Sequence, residues 1–532
     1  MKARIILTTA ACAVLAASPA FGQLTFQRLL DAGKDTSNWL TYSGSYRGWR
    51  YSAAEQIRRE NVAKLKVKWV YQMPTQHTVE TTPLVVDGVM YISEPPSNVV
   101  AVDAATGRPY WRYRRVLPSK INVCCGEVNR GVAVLGDRVF VGTVDAHLVA
   151  LDAKTGAVLW DIPVADYRTG HSVTVAPLAV KDMVICGIAG GEYGIRGFLD
   201  AYDAATGKRR WRFWTVPAPG EKGSETWSGN AWKTGGAPTW VTGTYDPSQN
   251  LIIWGTGNPS PDWNGDVRPG DNLFSDSAIA LDADTGKMKW YHQFVPHDTH
   301  DWDAVQVPVL VDDEWQGRPR KLVYWAHRSG FYFVLDRETG EFLFGKPFAT
   351  QTWAKGLESN GRPILVPNMD PSPEGTYLWP GVQGATNWYS PSYNPLTKLF
   401  YLAVWENRSV YRKGEQEYTP GNRYIGSVPL IDLPEDPGHG AIRAINPKTG
   451  ERVWDYRLQT KPWAGVLSTG GELVFGGSDE GYFFALDAKT GKELWRQNTG
   501  GIIRANPITY MSHGKQVVAI AAGASIFTFE LE

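Results

Sequence analysis

Residues 101–111 read AVDAATGRPYW, and the same phrase, Ala-x-Asp-x-x-Thr-Gly-x-x-x-Trp, returns along the whole chain. It recurs as ALDAKTGAVLW with Asp152 and Trp160, AYDAATGKRRW with Asp203 and Trp211, ALDADTGKMKW with Asp282 and Trp290, and ALDAKTGKELW with Asp487 and Trp495. Two weaker copies are VLDRETGEFLF, with Phe344 in the Trp place, and AINPKTGERVW, with Asn446 and Trp454. An eighth, Asn61 to Trp69, keeps the spacing without the Thr-Gly. A repeat of this length sets the architecture of the whole chain.

Apolar, β-rich stretches precede the copies, as in Pro83 to Ile92, where the Asp87-Gly88 pair marks a tight turn. One unit is therefore strand, turn, strand, strand, Asp-x-x-Thr-Gly turn, and a last strand ending in Trp. The Asp side chain accepts from turn N–H groups, Gly takes the positive φ, and the indole is a flat plate for burial between stacked sheets. Four strands repeated radially make an all-β propeller. The Trp-to-Trp steps are 42, 49, 51, 79, 54, 110 and 41 residues, so two of them carry long insertions. Seven complete units fall between about residues 82 and 495; an eighth starts near Ala505 and lacks its Trp strand, while residues 61–70 have that strand alone. The reading is an eight-bladed ring closed by pairing the two ends, which also hides two sheet edges. An open solenoid or two sandwiches are the alternatives.

The 532 residues are 43% apolar with a formal net charge of zero. That is globular composition, with no basic field to attract nucleic acid or an anionic membrane. Residues 23–532 read as a single propeller domain. Residues 1–22 read as a secretory leader: Lys2 and Arg4, an apolar run, then Ala20 and Gly22 before Gln23. A lipoprotein reading through Cys12 is weaker, and no segment is long and apolar enough to span a bilayer. The expected location is the periplasm. The chain has neither a C-x-x-C-H haem motif nor zinc-ligand spacing.

Three features carry chemistry. Cys124 and Cys125 are neighbours; an oxidising compartment allows a strained disulfide between them, and two free thiols are the plain alternative. Asp298, Asp301 and Asp303 fall in PHDTHDWDAV, where a strand would aim Asp301 and Asp303 at one face. With Glu192, at the end of a Gly-rich run, and Asn258, they make oxygen ligands for a hard cation; a solvated acidic loop is the alternative. His77, His171, His292, His297 and His300 have no metal-ligand spacing and read as ordinary core or surface histidines.

Six segments in order, CCGEVNRG, APLAVKDMVICGIAGGEYGIRG, GGAPTWVTGTYDP, WGTGNPSP, PHDTHDWDAV and GATNWYSP, resemble the quinoprotein alcohol dehydrogenases, which hold pyrroloquinoline quinone (PQQ) on an eight-bladed propeller. The resemblance implies a Cys124–Cys125 disulfide on one face of the quinone and Trp240 on the other. It places Glu80, Arg130, Thr174, Ala189, Gly190, Gly191, Arg328, Asn387 and Trp463 around the quinone edge. Ala189 departs from the Ser often found in relatives, and Pro238 from the Thr of methanol dehydrogenases. The metal ligands carried over are Glu192, Asn258, Asp301 and Asp303.

Asp303 matches the extra Asp of lanthanide-dependent members, and a trivalent ion attracts a further carboxylate more strongly than calcium does. The metal expected is a lanthanide, with calcium as the alternative. The implied reaction oxidises a primary alcohol, with Asp301 as base, hydride passing to metal-bound PQQ, Arg328 stabilising the growing charge, and a soluble cytochrome c taking the electrons. Two rivals remain: a non-catalytic propeller scaffold of outer-membrane assembly, and a PQQ enzyme for sugars or polyols. Pocket walls are expected from 212–236, 345–385 and 407–440. The exact alcohol and the oligomeric state stay open, a homodimer among the options.

Overall fold

The computed structural model describes residues 23–431 and 433–532; the expected leader lies outside the described residues. Strands Leu84–Val86, Val89–Glu94, Asn98–Asp103 and Pro109–Tyr113 pair in that order as one antiparallel blade. The same four-stranded meander recurs over 133–163, 178–214, 244–293, 309–347, 392–458 and 467–498, the last with Tyr51–Ser52 added as a fifth, parallel strand. The eighth sheet is Leu65–Gln72 paired with Ser525–Leu531, followed by Lys515–Ala522 and Ile508–Ser512. The chain ends complete a shared blade, as their complementary halves predict.

The repeat explains how blades join. Asp103 Oδ1 accepts the N–H groups of Ala105 and Thr106 at 2.7 and 3.0 Å, and Asp152 and Asp203 repeat the bond. Gly107 at the turn has φ 74°, and a Cβ there would lie 2.6 Å from the Trp69 ring of the preceding blade. The repeat thus needs Gly for its turn and for close approach. The indole also reaches forward: Trp111 Nε1 donates to Ala153 O at 2.9 Å, Trp211 to Ala283 O at 3.0 Å, and Trp290 to Arg337 O at 2.9 Å. Phe344 keeps the packing against Gly450 without a donor. At the closure Trp495 packs edge-on against Phe529.

Residues 39–52 run across several blades. Trp39 bridges to Val85, Tyr46 Oη donates to Ala179 O at 2.6 Å, Trp49 Nε1 to Leu310 O at 2.6 Å, and buried Arg50 to Pro507 O at 2.9 Å. Of the long insertions, 348–391 folds a hairpin of Ala354–Leu357 and Pro363–Leu365, and Thr376–Leu378 pairs with Ser409–Tyr411.

Candidate functional site

Propeller geometry gathers the candidate residues. Glu80, Arg130, Thr174, Trp240, Asp303, Asn387 and Trp463 each sit a few residues ahead of the first strand of their blade. Entry segments of a radial repeat share one end of the ring, so residues far apart in sequence converge there. The same position in the eighth blade is Arg504, ahead of Ile508–Ser512. Sequence reasoning missed Arg504, although counting entry positions blade by blade would have found it.

Arg130 organises one side. Its Nη2 pairs with Glu80 Oε2 at 2.7 Å, its Nη1 donates to Thr174 Oγ1 at 3.0 Å, and its guanidinium lies 4.7 Å over Trp240 and 4.8 Å over Trp388. Burial raises Glu80, while Arg130 and Arg504 pull it back. Arg504 lies 5.1 Å over Trp463 and pairs with Asp479 at 3.4 Å. Asn387 Nδ2 donates to Gln383 O at 2.9 Å. Ala189 spends its main-chain N–H and C=O on Ser172, so it offers no polar side chain, in keeping with the departure noted in the sequence. Gly191 is tight against Pro238 and Asn258.

The acidic side is denser. Cys124 and Cys125 form a disulfide with Cα atoms 3.8 Å apart, and both sulfurs lie within 4.8 Å of a Glu192 carboxylate oxygen. Glu192 rides on the 3-10 turn Gly191–Tyr193. Asp301 and Asp303 lie on a loop ahead of strand Val309–Trp315, which corrects the expectation that they sit in a strand. Asp301 instead takes φ 61°, and Cys125 φ 63°, conformations a non-glycine residue holds only where its surroundings enforce them. The Asp298 carboxylate shapes that loop by accepting from His300 N at 3.0 Å and Trp302 N at 2.9 Å.

Arg328 joins the pair: Nη1 donates to Asp303 Oδ2, and Nη2 lies 3.3 Å from Asp301 Oδ2 and 2.7 Å from Val382 O. Asp303 Oδ1 accepts the Asn258 N–H at 2.6 Å. Burial raises Asp301 well above the usual carboxylate range; Arg328 opposes this, and Asp303 and Glu192 add to it. Burial likewise raises Glu192 and Asp303. Burial alone would lift Asp298 too, but hydrogen bonds involving His300 and Trp302 hold it below its ordinary value.

Asp262 and Asp276 also belong to this cluster and were missed in the sequence. Burial raises both well above the carboxylate range, and neighbouring carboxylates reinforce it. Two of the histidines pack into the core: His300 stacks on Trp302 at 4.4 Å and reaches Met369 O at 3.0 Å, and His292 sits among Phe294, Phe333 and Phe342.

The donor set fits a flat polyanion beside a hard cation. Arg130 Nε, Arg328 Nε, Arg504 Nε and Trp463 Nε1 are buried donors with no hydrogen-bond acceptor. Carbonyl and carboxylate oxygens of a quinone would satisfy such groups, which are otherwise costly to bury. The all-oxygen set of Glu192, Asn258, Asp301 and Asp303 suits a hard ion. Among described residues no helix is long and apolar enough to cross a membrane.

Residues 39–348 match the family model described as glucose/ethanol/alcohol dehydrogenase, β-propeller domain, and residues 438–531 match that of outer membrane protein assembly factor BamB. The chain is 37% identical to quinoprotein alcohol dehydrogenase PedH of Pseudomonas putida, over 96% of this chain and 90% of that protein. It is 35% identical to the lanthanide-dependent methanol dehydrogenase of Methylacidiphilum fumariolicum, over 96% and 89%. A solved europium-containing methanol dehydrogenase superposes with a TM-score of 0.90 at 32% identity, covering 95% of this chain and all of that one. BamB from Moraxella catarrhalis, at 16% identity and a TM-score of 0.50, shares the fold alone. The chain belongs to the PQQ-dependent quinoprotein alcohol dehydrogenases.

Proposed function

We propose that this chain oxidises a primary alcohol to the aldehyde in the periplasm, with PQQ and a lanthanide ion at the acidic end of the ring and a soluble cytochrome c as electron acceptor. The observation that carries this reading is the Asp301–Arg328–Asp303 ion-pair cluster, coupled by charge to Glu192, which itself lies against the vicinal disulfide. When bound, PQQ would supply the two-electron acceptor that the oxidation needs, and the cation would supply Lewis acidity.

The protein supplies the rest. Glu80, Arg130, Thr174, Arg504 and Trp463 would hold and orient the quinone edge, and the disulfide and Trp240 would offer its faces something to pack on. Asp301 takes the hydroxyl proton at Oδ1 or Oδ2. Burial pushes Asp301 up, and Arg328 pulls it towards the ionised form a base needs; a cation would pull the same way. Segment 413–426 is tied to the site: Tyr424 N donates to Glu192 O at 2.7 Å, and Asn122 Nδ2 to Gly421 O at 2.7 Å.

A lanthanide is favoured over calcium by charge. Glu192, Asp262, Asp276, Asp298, Asp301 and Asp303 cluster around the buried guanidiniums of Arg268 and Arg328. A trivalent ion offsets more of that negative charge. Under a scaffold reading the cluster and the orphaned donors would serve no purpose.

Asp301→Asn tests the chemistry. It should retain PQQ, read by absorbance, and lose turnover by about 100-fold or more; near-normal turnover would remove Asp301 as the base. Reconstitution of apo-protein with PQQ and either lanthanum or calcium, across an alcohol panel, tests metal and substrate.

A further inference from the structure

Asp262 is 1% exposed, and neither of its carboxylate oxygens has a hydrogen-bond partner. Its main chain, in contrast, is fixed from two sides. From one side Arg268 donates to Pro261 O at 3.0 Å and contacts Asp262 O at 3.5 Å. From the other, segment 413–426 ties down its neighbours: Ser260 Oγ donates to Tyr424 O at 3.0 Å, Trp263 N to Ile425 O at 3.0 Å, and Asn264 Nδ2 to Gly414 O at 2.9 Å.

A bare carboxylate held inside the protein is unfavourable unless a positive charge meets it. The groups nearest in influence are of the wrong sign. Asp301, Glu192 and Asp303 all oppose the charge on Asp262, while the Asn258 side chain and the charge of Arg268 favour it. The guanidiniums are committed elsewhere: Arg328 serves Asp301, Asp303 and Val382 O, and Arg268 serves the carbonyls of Pro261 and Asp298 and Asn272 Oδ1. Both Asp303 oxygens accept hydrogen bonds, whereas neither Asp262 oxygen has a partner of good geometry.

We propose that Asp262 is a further carboxylate ligand of the cation held by Glu192, Asn258, Asp301 and Asp303. This rests on the cation site set out under Proposed function. Asp262 follows Asn258 by four residues, so one short loop supplies two oxygen donors, and its charge favours the ion of higher valence.

The probe is Eu3+ added to the purified full-length chain, with bound water counted from luminescence lifetimes in H2O and D2O. Asp262→Ala should gain about one water on the ion and lose affinity about tenfold or more, a loss that a mere supporting residue could also cause. Asp262→Asn keeps an amide oxygen and the side-chain shape; it should hold the water count while losing more affinity for Eu3+ than for Ca2+. An unchanged water count in Asp262→Ala, with the ion still bound one-to-one, overturns the assignment; so does an equal loss for both ions in Asp262→Asn. If the wild-type chain takes up no stoichiometric Eu3+, the cation site itself fails, and this ligand with it.

Discussion

Gly257→Ala should cripple the site by one methyl group. Gly257 lies on the segment that follows strand Leu251–Gly255, and its φ is not positive, so alanine meets no backbone penalty there. The clash alone is tested. A Cβ at Gly257 would lie 2.8 Å from Pro238 Cδ and closer still to Asp303 Oδ1. Ordinary carbon contacts begin near 3.5 Å, so Pro238 must retreat by about 0.7 Å and Asp303 by about 1 Å. Pro238 is a ring in a fixed segment; the carboxylate is the softer neighbour.

Asp303 accepts the Asn258 N–H at 2.6 Å. A retreat of about 1 Å takes that bond beyond hydrogen-bonding range and drags Arg328, which Asp303 holds by Oδ2. Overpacking of this kind costs about 1–3 kcal/mol of stability. A displacement of about 1 Å in a reacting constellation costs about 100-fold in rate. The assays are urea unfolding of the apo-protein and turnover of the PQQ- and lanthanide-loaded enzyme. Wild-type stability together with wild-type turnover would refute the view that Gly257 is kept small to seat Asp303.

Asp303→Ala should lose lanthanide-supported turnover far more than calcium-supported turnover, measured on the same apo-preparation; equal retention with lanthanide would remove Asp303 from metal selection. Buried histidines set an acid limit. Burial depresses His292 to about 4 from 6.5, and His171 and His327 shift the same way. The unfolded chain takes up protons near pH 6.5 that the native chain refuses until about pH 4, so stability falls as pH drops through that window. His292→Phe, placed among Phe294, Phe333 and Phe342, should flatten the slope by up to about 1.4 kcal/mol per pH unit; an unchanged slope in pH-dependent unfolding would show that His292 is not held neutral.

The ring was legible because its signal is local. Asp103, Gly107 and Trp111 lie within nine residues, and each does its work against the adjoining blade, so the pattern survives in sequence. The resemblance singled out the vicinal cysteines, Glu192, Asp301 and Asp303; the structure pairs the two cysteines with Glu192 against them and sets Arg328 between the two aspartates. Asp262 was not legible, because an acidic residue in a Pro- and Gly-rich stretch reads as solvated; its burial comes in part from segment 413–426, which is remote in sequence and packs against its neighbours. The strand expected for Asp301 and Asp303 failed for a similar reason. Alternation suggested it, but the Asp298 carboxylate captures the N–H groups of His300 and Trp302 and turns the backbone. Of the expected pocket walls, 407–440 reaches the site through Tyr424 and Gly421.

The join between Leu65–Gln72 and Ser525–Leu531 has a kinetic consequence. Its partners, such as Ser525 and Gln72, are 453 residues apart. Nearly the whole polypeptide must be made before the last unpaired edges are covered, and until then they are templates for another molecule. Assembly of this enzyme therefore hangs on a late clasp, and crowding of unfinished chains is its natural hazard.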